Sequence, residues 1–61
     1  MTKVALTDKL GRISFVDENA VCVGEWIKTP YISGFIVSIY GKFVTVDKNN
    51  IGIFVTLKIE A

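Results

Sequence analysis

Apolar and polar residues alternate along most of this chain, and the alternation is clearest over residues 34–47. Two runs rich in β-branched and aromatic residues flank Tyr40-Gly41, which predicts a β-hairpin with a two-residue turn. In the register that this turn imposes, Phe35 faces Val46 across the two strands. The apolar face of the predicted hairpin consists of Phe35, Val37, Ile39, Val44 and Val46. The reverse face carries Ile36, Ser38, Phe43 and Thr45.

Shorter alternating runs predict the strands around this hairpin, and polar turns separate them. Residues 3–7 and 12–16 form the first two predicted strands, joined by a turn in which Gly11 can adopt a left-handed conformation. Residues 21–28 form the third strand, and residues 51–59 form the last. No segment shows helical periodicity over three turns.

Gly24 interrupts the third predicted strand, which indicates a bulge or a bend and allows a small sheet to curl. If the second and third strands pair across the polar loop between them, Arg12 faces Glu25 in a favourable cross-strand contact. The same pairing gathers Phe15 and Trp26 on the opposite face.

The last strand is expected to pair with the second arm of the hairpin, with Val46 facing Ile51. This register places Phe43 opposite Phe54 on the reverse face. A sheet that is apolar on both faces has to curl or pack, because a flat one would aggregate. The chain is therefore predicted to be all-β, a single domain over residues 1–61 that forms a small five- to six-stranded antiparallel barrel.

A family resemblance rests on the pattern Gly34-x-Ile36-Val37-x-Ile39, followed by Phe43-Val44-x-Val46 and Ile53-x-Val55. It resembles the strands of SH3-like small barrels, including the KOW type, over residues 34–59. The resemblance implies a binding scaffold for nucleic acid, ribonucleoprotein or protein partners. The N-terminal half lacks the acidic and aromatic loop of signalling SH3 domains, so recognition of proline-rich peptides is not implied. Fold alone does not choose among the partners.

Composition adds the expectation of a partner. The chain has 61 residues, of which 51% are hydrophobic, and a mean hydropathy of +0.49. So small a sphere has little interior in which to hide that many apolar side chains. One cysteine excludes an internal disulfide, and the lack of histidine argues against a structural zinc site. We therefore expect another subunit or a protein partner to cover part of the apolar surface.

Charge and hydropathy argue against a duplex-DNA binder, a secreted protein and a membrane protein. Seven basic and six acidic residues give a net charge of +1, whereas a dedicated duplex-DNA binder usually shows a marked basic excess. The N-terminal residues carry charges without a long apolar run, and no run approaches 18 apolar residues. We therefore expect neither a signal peptide nor a membrane span. A single cysteine suits a reducing compartment, and the expected location is cytoplasmic.

The inventory of catalytic side chains is almost empty. Without histidine there is no catalytic triad and no ordinary proton shuttle near neutral pH. Cys22 lies in an apolar run and is expected to be a buried, inert thiol. The carboxylates Asp17 and Glu18 are neighbours in one turn and do not face each other across a substrate. The chain is expected to be no enzyme, with no catalytic residue, no metal site and no cofactor.

Two groups of residues are candidate binding sites. Trp26, Lys28 and Tyr31 combine aromatic rings with a cation, which suits base stacking with a phosphate contact, or a protein hot spot. The competing interpretation places Trp26 in the core beside Phe15. The second group is Ile36, Phe43 and Phe54 on the reverse face, which forms either a second core layer or an exposed apolar interface.

These observations favour a non-enzymatic binding or regulatory module that acts through protein–protein contacts, including self-association as a homo-oligomer. Its candidate interface residues are Ile36, Phe43 and Phe54. The alternative is a single-stranded DNA- or RNA-binding barrel that uses Trp26, Lys28 and Tyr31. A structural subunit of a larger assembly is a further alternative. No small-molecule substrate is expected.

Overall fold

Six antiparallel strands form one sheet that curls into a nearly closed barrel in the computed structural model, which describes residues 2–60. The strands are β1 (Lys3–Thr7), β2 (Ile13–Asp17), β3 (Trp26–Lys28), β4 (Ser33–Tyr40), β5 (Phe43–Lys48) and β6 (Ile53–Glu60). Their order across the sheet is β2-β1-β6-β5-β4-β3, so β2 and β3 are its two outer strands. This confirms the predicted all-β, small antiparallel barrel.

Aspartate side chains organise three of the connections. Asp8 accepts hydrogen bonds from two backbone amides of the β1–β2 turn, and Asp17 accepts one from the amide two residues further on. Asp47 accepts one from the amide of Gly52, across the β5–β6 turn. All four distances are 2.8–2.9 Å. Short carboxylate side chains favour turns because they bond to nearby amides of their own backbone. Gly11 has a φ of 80° and confirms the predicted left-handed residue of the first turn.

The hairpin of β4 and β5 exists, but its register differs from the predicted one. The turn is Gly41-Lys42, so that Tyr40 faces Phe43. A β-bulge at Val37, between Ile36 and Ser38, adds one residue to β4. Because side chains alternate along a strand, the added residue inverts the inward and outward faces on its N-terminal side.

Because of the bulge, three side chains lie on the opposite face from the one predicted. Ile36 was expected on the reverse face, but it points into the barrel and is 1% exposed. Phe35 and Val37 were expected on the core face, but they are 37% and 40% exposed. Val44 and Val46 lie beyond the bulge's influence and are buried as predicted.

The pairing of β5 with β6 is also shifted from the prediction. Val46 faces Val55 rather than Ile51, because the turn extends over residues 49–52. Phe43 faces Lys58 and Phe54 faces Asp47, so the predicted Phe43–Phe54 opposition is wrong. The shift is an even number of residues, so both phenylalanines remain on the outer face.

The third predicted strand is shorter than expected. It comprises only Trp26–Lys28 and pairs with β4, whereas β2 pairs with β1. A 3₁₀ turn at Glu18–Ala20 and an irregular segment containing Gly24 (φ 92°) carry the chain between β2 and β3. The predicted Arg12–Glu25 contact is therefore wrong, and Arg12 pairs with Asp8 at 2.7 Å.

The barrel is filled with aliphatic side chains. In the described part of the chain, eight of them are buried and form one cluster: Leu6, Val16, Ile27, Ile32, Ile36, Val44, Val46 and Leu57. The buried hydroxyl of Ser14 on β2 donates to Oγ1 of Thr29, which follows β3, at 3.1 Å. Thr29 in turn donates to the carbonyl of Ile32 at 2.9 Å. This contact connects the two outer strands and satisfies a polar group that would be costly to bury alone.

Candidate functional site

The aromatic side chains of this protein lie on its surface. The sequence contains four phenylalanines, two tyrosines and one tryptophan, and none of them belongs to the buried core. Their exposed fractions run from 37% for Phe35 to 84% for Tyr40. Aromatic residues bury the largest apolar areas of all side chains and normally dominate a core. A small barrel that excludes every one of them from its interior presents an unusually apolar surface.

One row of large side chains crosses the outer face of four strands. Trp26 on β3 faces Phe35 on β4, and their rings meet edge to face with centroids 4.9 Å apart and an interplanar angle of 78°. Phe35 faces Asp47 on β5, which in turn faces Phe54 on β6. Edge-to-face contact is a favoured arrangement of two aromatic rings, so the first pair holds its geometry. We call Trp26, Phe35 and Phe54 the upper aromatic row.

A second row lies at the other end of β4, β5 and β6. Tyr40 on β4 faces Phe43 on β5, which faces Lys58 on β6. Between the two rows lie the exposed bulge residue Val37 and three outward residues that carry hydroxyl groups: Ser38, Thr45 and Thr56. Four residues along β5 separate Phe43 from Asp47, about 13 Å at the usual rise of a strand. The outer face thus has two aromatic rims with shorter side chains between them, and we call the strip between the rims the trough.

The structure separates the three predicted interface residues. Phe43 and Phe54 are 51% and 63% exposed and lie on opposite rims of the trough. Ile36 lies in the core, so the prediction that it is available at the surface is wrong because of the bulge at Val37. Phe35 takes the place on the outer face that sequence reasoning had given to Ile36. No glycine or proline lies at the bulge to indicate it. The alternation of residues 34–47 therefore predicted the wrong face for Phe35 and Ile36.

The three residues predicted to bind nucleic acid are also divided between two parts of the surface. Trp26 is 44% exposed and contacts Phe35, so the competing interpretation that placed it in the core beside Phe15 is wrong. Lys28 is exposed on the same strand. Tyr31 instead lies beneath Arg12, whose guanidinium carbon is 5.1 Å from the centroid of the tyrosine ring. The structure brings Trp26 and Lys28 to one strand and gives Tyr31 a different neighbour.

Tyr31 belongs to a cleft at the end of the barrel where the β1–β2 turn meets the β3–β4 loop. The cleft has a volume of about 120 Å³, and its charged lining residues are Asp8, Lys9, Arg12 and Lys48. Buried Ile32 and Leu57 form part of its floor. Arg12 is held both by the ion pair with Asp8 and by the ring of Tyr31, and a cation over an aromatic face is an attractive contact.

Asp8 is the carboxylate whose titration this environment alters. Loss of hydration alone raises the pKa of Asp8, but the hydrogen bonds from Arg12 and Leu10 and the charge of Arg12 together lower that pKa below its usual value. These interactions favour the ionised form because each of them places a donor or a positive charge at the carboxylate. Asp8 is therefore an anion that neutralises Arg12, while Lys9 and Lys48 have no ion-pair partner among residues 2–60.

Few other side chains could support chemistry. Cys22 is exposed, so its predicted burial is wrong, because residues 21–25 form an irregular segment instead of a strand. Within residues 2–60, no three histidine, cysteine or carboxylate side chains come together in a way that could hold a metal ion. The part of the chain described here also contains no helix of the length and apolar character needed to cross a membrane.

Comparisons with known proteins do not assign the chain to a family. No protein-family model matches the sequence, and neither a curated protein nor a solved structure matches it. What the chain does is therefore inferred from its own geometry.

Proposed function

We propose that this protein is a non-enzymatic binding module of the SH3-like barrel type, whose outer aromatic face docks on a partner protein. The supporting observation is the sorting of side chains, with an aliphatic core inside and all seven aromatic rings outside. Placing aromatic rings in water is unfavourable, and they are the side chains that contribute most at protein interfaces. The aromatic rims of the trough offer apolar contacts, and the hydroxyl groups of Ser38, Thr45 and Thr56 between them offer hydrogen bonds.

Charge favours a protein partner over nucleic acid for this face. Asp47 lies between Phe35 and Phe54 in the upper aromatic row, so a nucleic acid strand stacked on these rings would place its phosphates near a carboxylate. The net charge of +1 adds no general attraction for a polyanion. The alternative, single-stranded DNA or RNA bound through Trp26, Lys28 and Tyr31, therefore has less support and becomes an outcome of the test.

Site-specific photo-crosslinking tests the proposal. A photoreactive phenylalanine analogue is placed at Phe35 in one variant and at Phe15 in a matched control, and each is irradiated in the cells that make the protein. Phe15 is the stricter control because it is 66% exposed, more than Phe35, but lies on β2 outside the trough. We expect a discrete protein adduct from position 35 and none from position 15.

Competition shows whether the adduct reports the trough. An excess of the unmodified protein should suppress the adduct, whereas an excess of a Phe43→Ser variant should suppress it poorly, because that variant lacks the phenylalanine of the second row. An adduct of dimer mass identifies the partner as a second copy of the chain. Equal adducts at both positions, equal competition by the variant, or an adduct that contains nucleic acid would refute the proposal.

A further inference from the structure

One stretch of β6 has a strand on only one side. β5 pairs with β6 from Ile53 to Lys58, whereas β1 pairs with β6 only from Lys58 to Glu60. After Thr7 the chain turns away towards β2 through the β1–β2 turn. Among residues 2–60, no strand pairs with the other side of residues 53–57. We call this stretch the open edge.

The hydrogen-bonding groups that face the open edge follow from the pattern of the ladder. The amide of Ile59 donates to the carbonyl of Lys42, next to β5, at 2.7 Å. Because successive residues of a strand direct their amide and carbonyl groups to opposite sides, Val55 and Leu57 also bond towards β5. Phe54 and Thr56 therefore direct both their amides and their carbonyls outward, which is the arrangement that accepts an added strand.

A groove lies on each face of the sheet along this edge. The cleft of about 120 Å³ lies on the inward side, against Val55 and Leu57. A shallower groove of about 270 Å³ lies on the outward side, against Thr56, Lys58 and Phe43. Since the side chains of a strand alternate between the two faces of a sheet, a strand added here would place alternate side chains in the two grooves. Both sides of the open edge thus have room for the side chains of a bound strand.

The charges around the two grooves are mostly positive. Lys9 lines both grooves, Lys48 the inner one and Lys58 the outer one. Of residues 2–60, Asp8 is the single carboxylate that lines them, and it is engaged by Arg12 at 2.7 Å. The complementary occupant is therefore an extended segment that carries acidic side chains. A second copy paired through the same edge would instead bring two lysine-bearing rims together.

We propose that the open edge of β6 binds an extended acidic segment of a partner protein as an additional antiparallel or parallel strand. Apolar side chains of that segment lie in the inner cleft against Val55 and Leu57, and acidic ones lie in the outer groove near Lys9 and Lys58. The proposal rests on the proposed function and extends it, because the new strand would adjoin Phe54 and so continue the upper aromatic row. It names the mode of binding and the chemistry of the partner.

Amide hydrogen exchange, followed by NMR on the intact protein, tests the proposal directly. The probe is an end-blocked octapeptide in which valine and glutamate alternate, and its matched counterpart has lysine in place of glutamate. In the free protein we expect the amides of Phe54 and Thr56 to exchange faster than those of Val55 and Leu57. The glutamate peptide should slow the exchange of Phe54 and Thr56, and the lysine peptide should bind about tenfold more weakly.

Two variants separate the backbone contact from the charge contact. Thr56→Pro removes the outward amide and is compatible with an edge position, whereas Thr56→Val keeps the amide and loses only the hydroxyl. We expect the proline variant to lose binding of the glutamate peptide and the valine variant to retain it. Lys9→Glu, in an exposed turn, serves if the proline variant is unfolded, and it should reduce the preference for the glutamate peptide because only Lys48 and Lys58 then remain as unpaired cations at the grooves.

Several results would overturn the proposal. Slow exchange of the Phe54 and Thr56 amides in the dilute free protein would mean that the edge is already covered. Protection that depends on protein concentration alone would assign the edge to a second copy. Failure of the glutamate peptide to protect these amides, or equal binding of both peptides, would exclude an acidic strand. Any of these results leaves the crosslink at Phe35 unaffected, because β4 lies two strands away from the open edge.

Discussion

Replacing Ile36 by alanine is expected to destabilise this protein more than replacing Phe54 by alanine, although phenylalanine is the larger side chain. Ile36 is 1% exposed, and truncating a fully buried isoleucine costs about 2–5 kcal/mol through lost burial and the cavity left behind. Phe54 is 63% exposed, so only about a third of a side chain that can bury 150–250 Å² is covered. At about 25 cal/mol per Å², its truncation costs about 1–2 kcal/mol as an upper estimate.

Equilibrium urea unfolding followed by far-ultraviolet circular dichroism measures both losses on the same scale. A domain of this length has a free energy of unfolding of about 3–9 kcal/mol, so Ile36→Ala is expected to remove a large part of it. The milder Ile36→Val, with an expected cost of about 0.5–1.5 kcal/mol, keeps the comparison measurable. Equal losses for the two alanine variants, or a larger loss for Phe54→Ala, would refute the assignment of Phe54 to the surface and of Ile36 to the core.

Three further predictions concern single positions. A methyl group at Gly34 would lie 2.1 Å from the carbonyl oxygen of Asp47, so Gly34→Ala should destabilise the protein by about 3 kcal/mol in urea unfolding. The hydroxyl of Thr7 is buried without a hydrogen-bond partner among residues 2–60, so Thr7→Val should raise the free energy of unfolding by about 1 kcal/mol. The pKa of Asp8 is lowered in the folded protein, so the stability that its charge contributes is present above about pH 4 and is lost as the pH falls through the folded pKa. Asp8→Asn should therefore flatten the dependence of the urea midpoint on pH in the acid range.

Matched controls make these outcomes specific. Gly41→Ala places its methyl group in open space at a φ of 59°, so it should cost only the penalty of a left-handed residue, about 1–2 kcal/mol. If Gly34→Ala cost no more than Gly41→Ala, the close approach of β4 to β5 would be contradicted. Thr7→Ser keeps the hydroxyl and should bring no gain. A steep acid dependence that persists in Asp8→Asn would assign it to other carboxylates.

Local patterns predicted most of the secondary structure. The first two strands, the central hairpin and the last strand all appear within a few residues of their predicted limits, because alternation and turn chemistry are local properties. The predicted left-handed residue Gly11 is confirmed as well. These elements were sufficient to predict a small antiparallel barrel.

The register of the strands could not be predicted from local sequence patterns. The bulge at Val37 carries no sequence mark, yet it exchanges the faces of Phe35 and Ile36. The β5–β6 turn is longer than its polar residues suggested because Ile51 belongs to it. The pairing of β1 with β6 joins the two ends of the chain and depends on closure of the whole barrel.

In the candidate site, too, the sequence predicted what depends on alternation along a strand and missed what depends on the bulge. Alternation correctly placed Phe43 and Phe54 together on the face opposite Val44 and Val46, because the shift in the β5–β6 register was even. It missed Phe35 and misplaced Ile36, because the bulge shifts β4 by an odd number of residues. The expectation that Trp26 is buried came from the average behaviour of tryptophan, which the aliphatic filling of this barrel overrides. That these residues bind a partner remains a prediction.

The accessibility of Trp26 in dilute protein tests most directly whether the aromatic rings form a surface. Fluorescence of this single tryptophan is measured with increasing acrylamide at a concentration where sedimentation shows a monomer. An indole that is 44% exposed and held against Phe35 should emit as a partly hydrated chromophore and be quenched readily. Loss of quenching at higher protein concentration would identify the partner as a second copy. A monomer whose tryptophan resists acrylamide would contradict the account, because the upper aromatic row would then be interior and the proposed docking face would not exist.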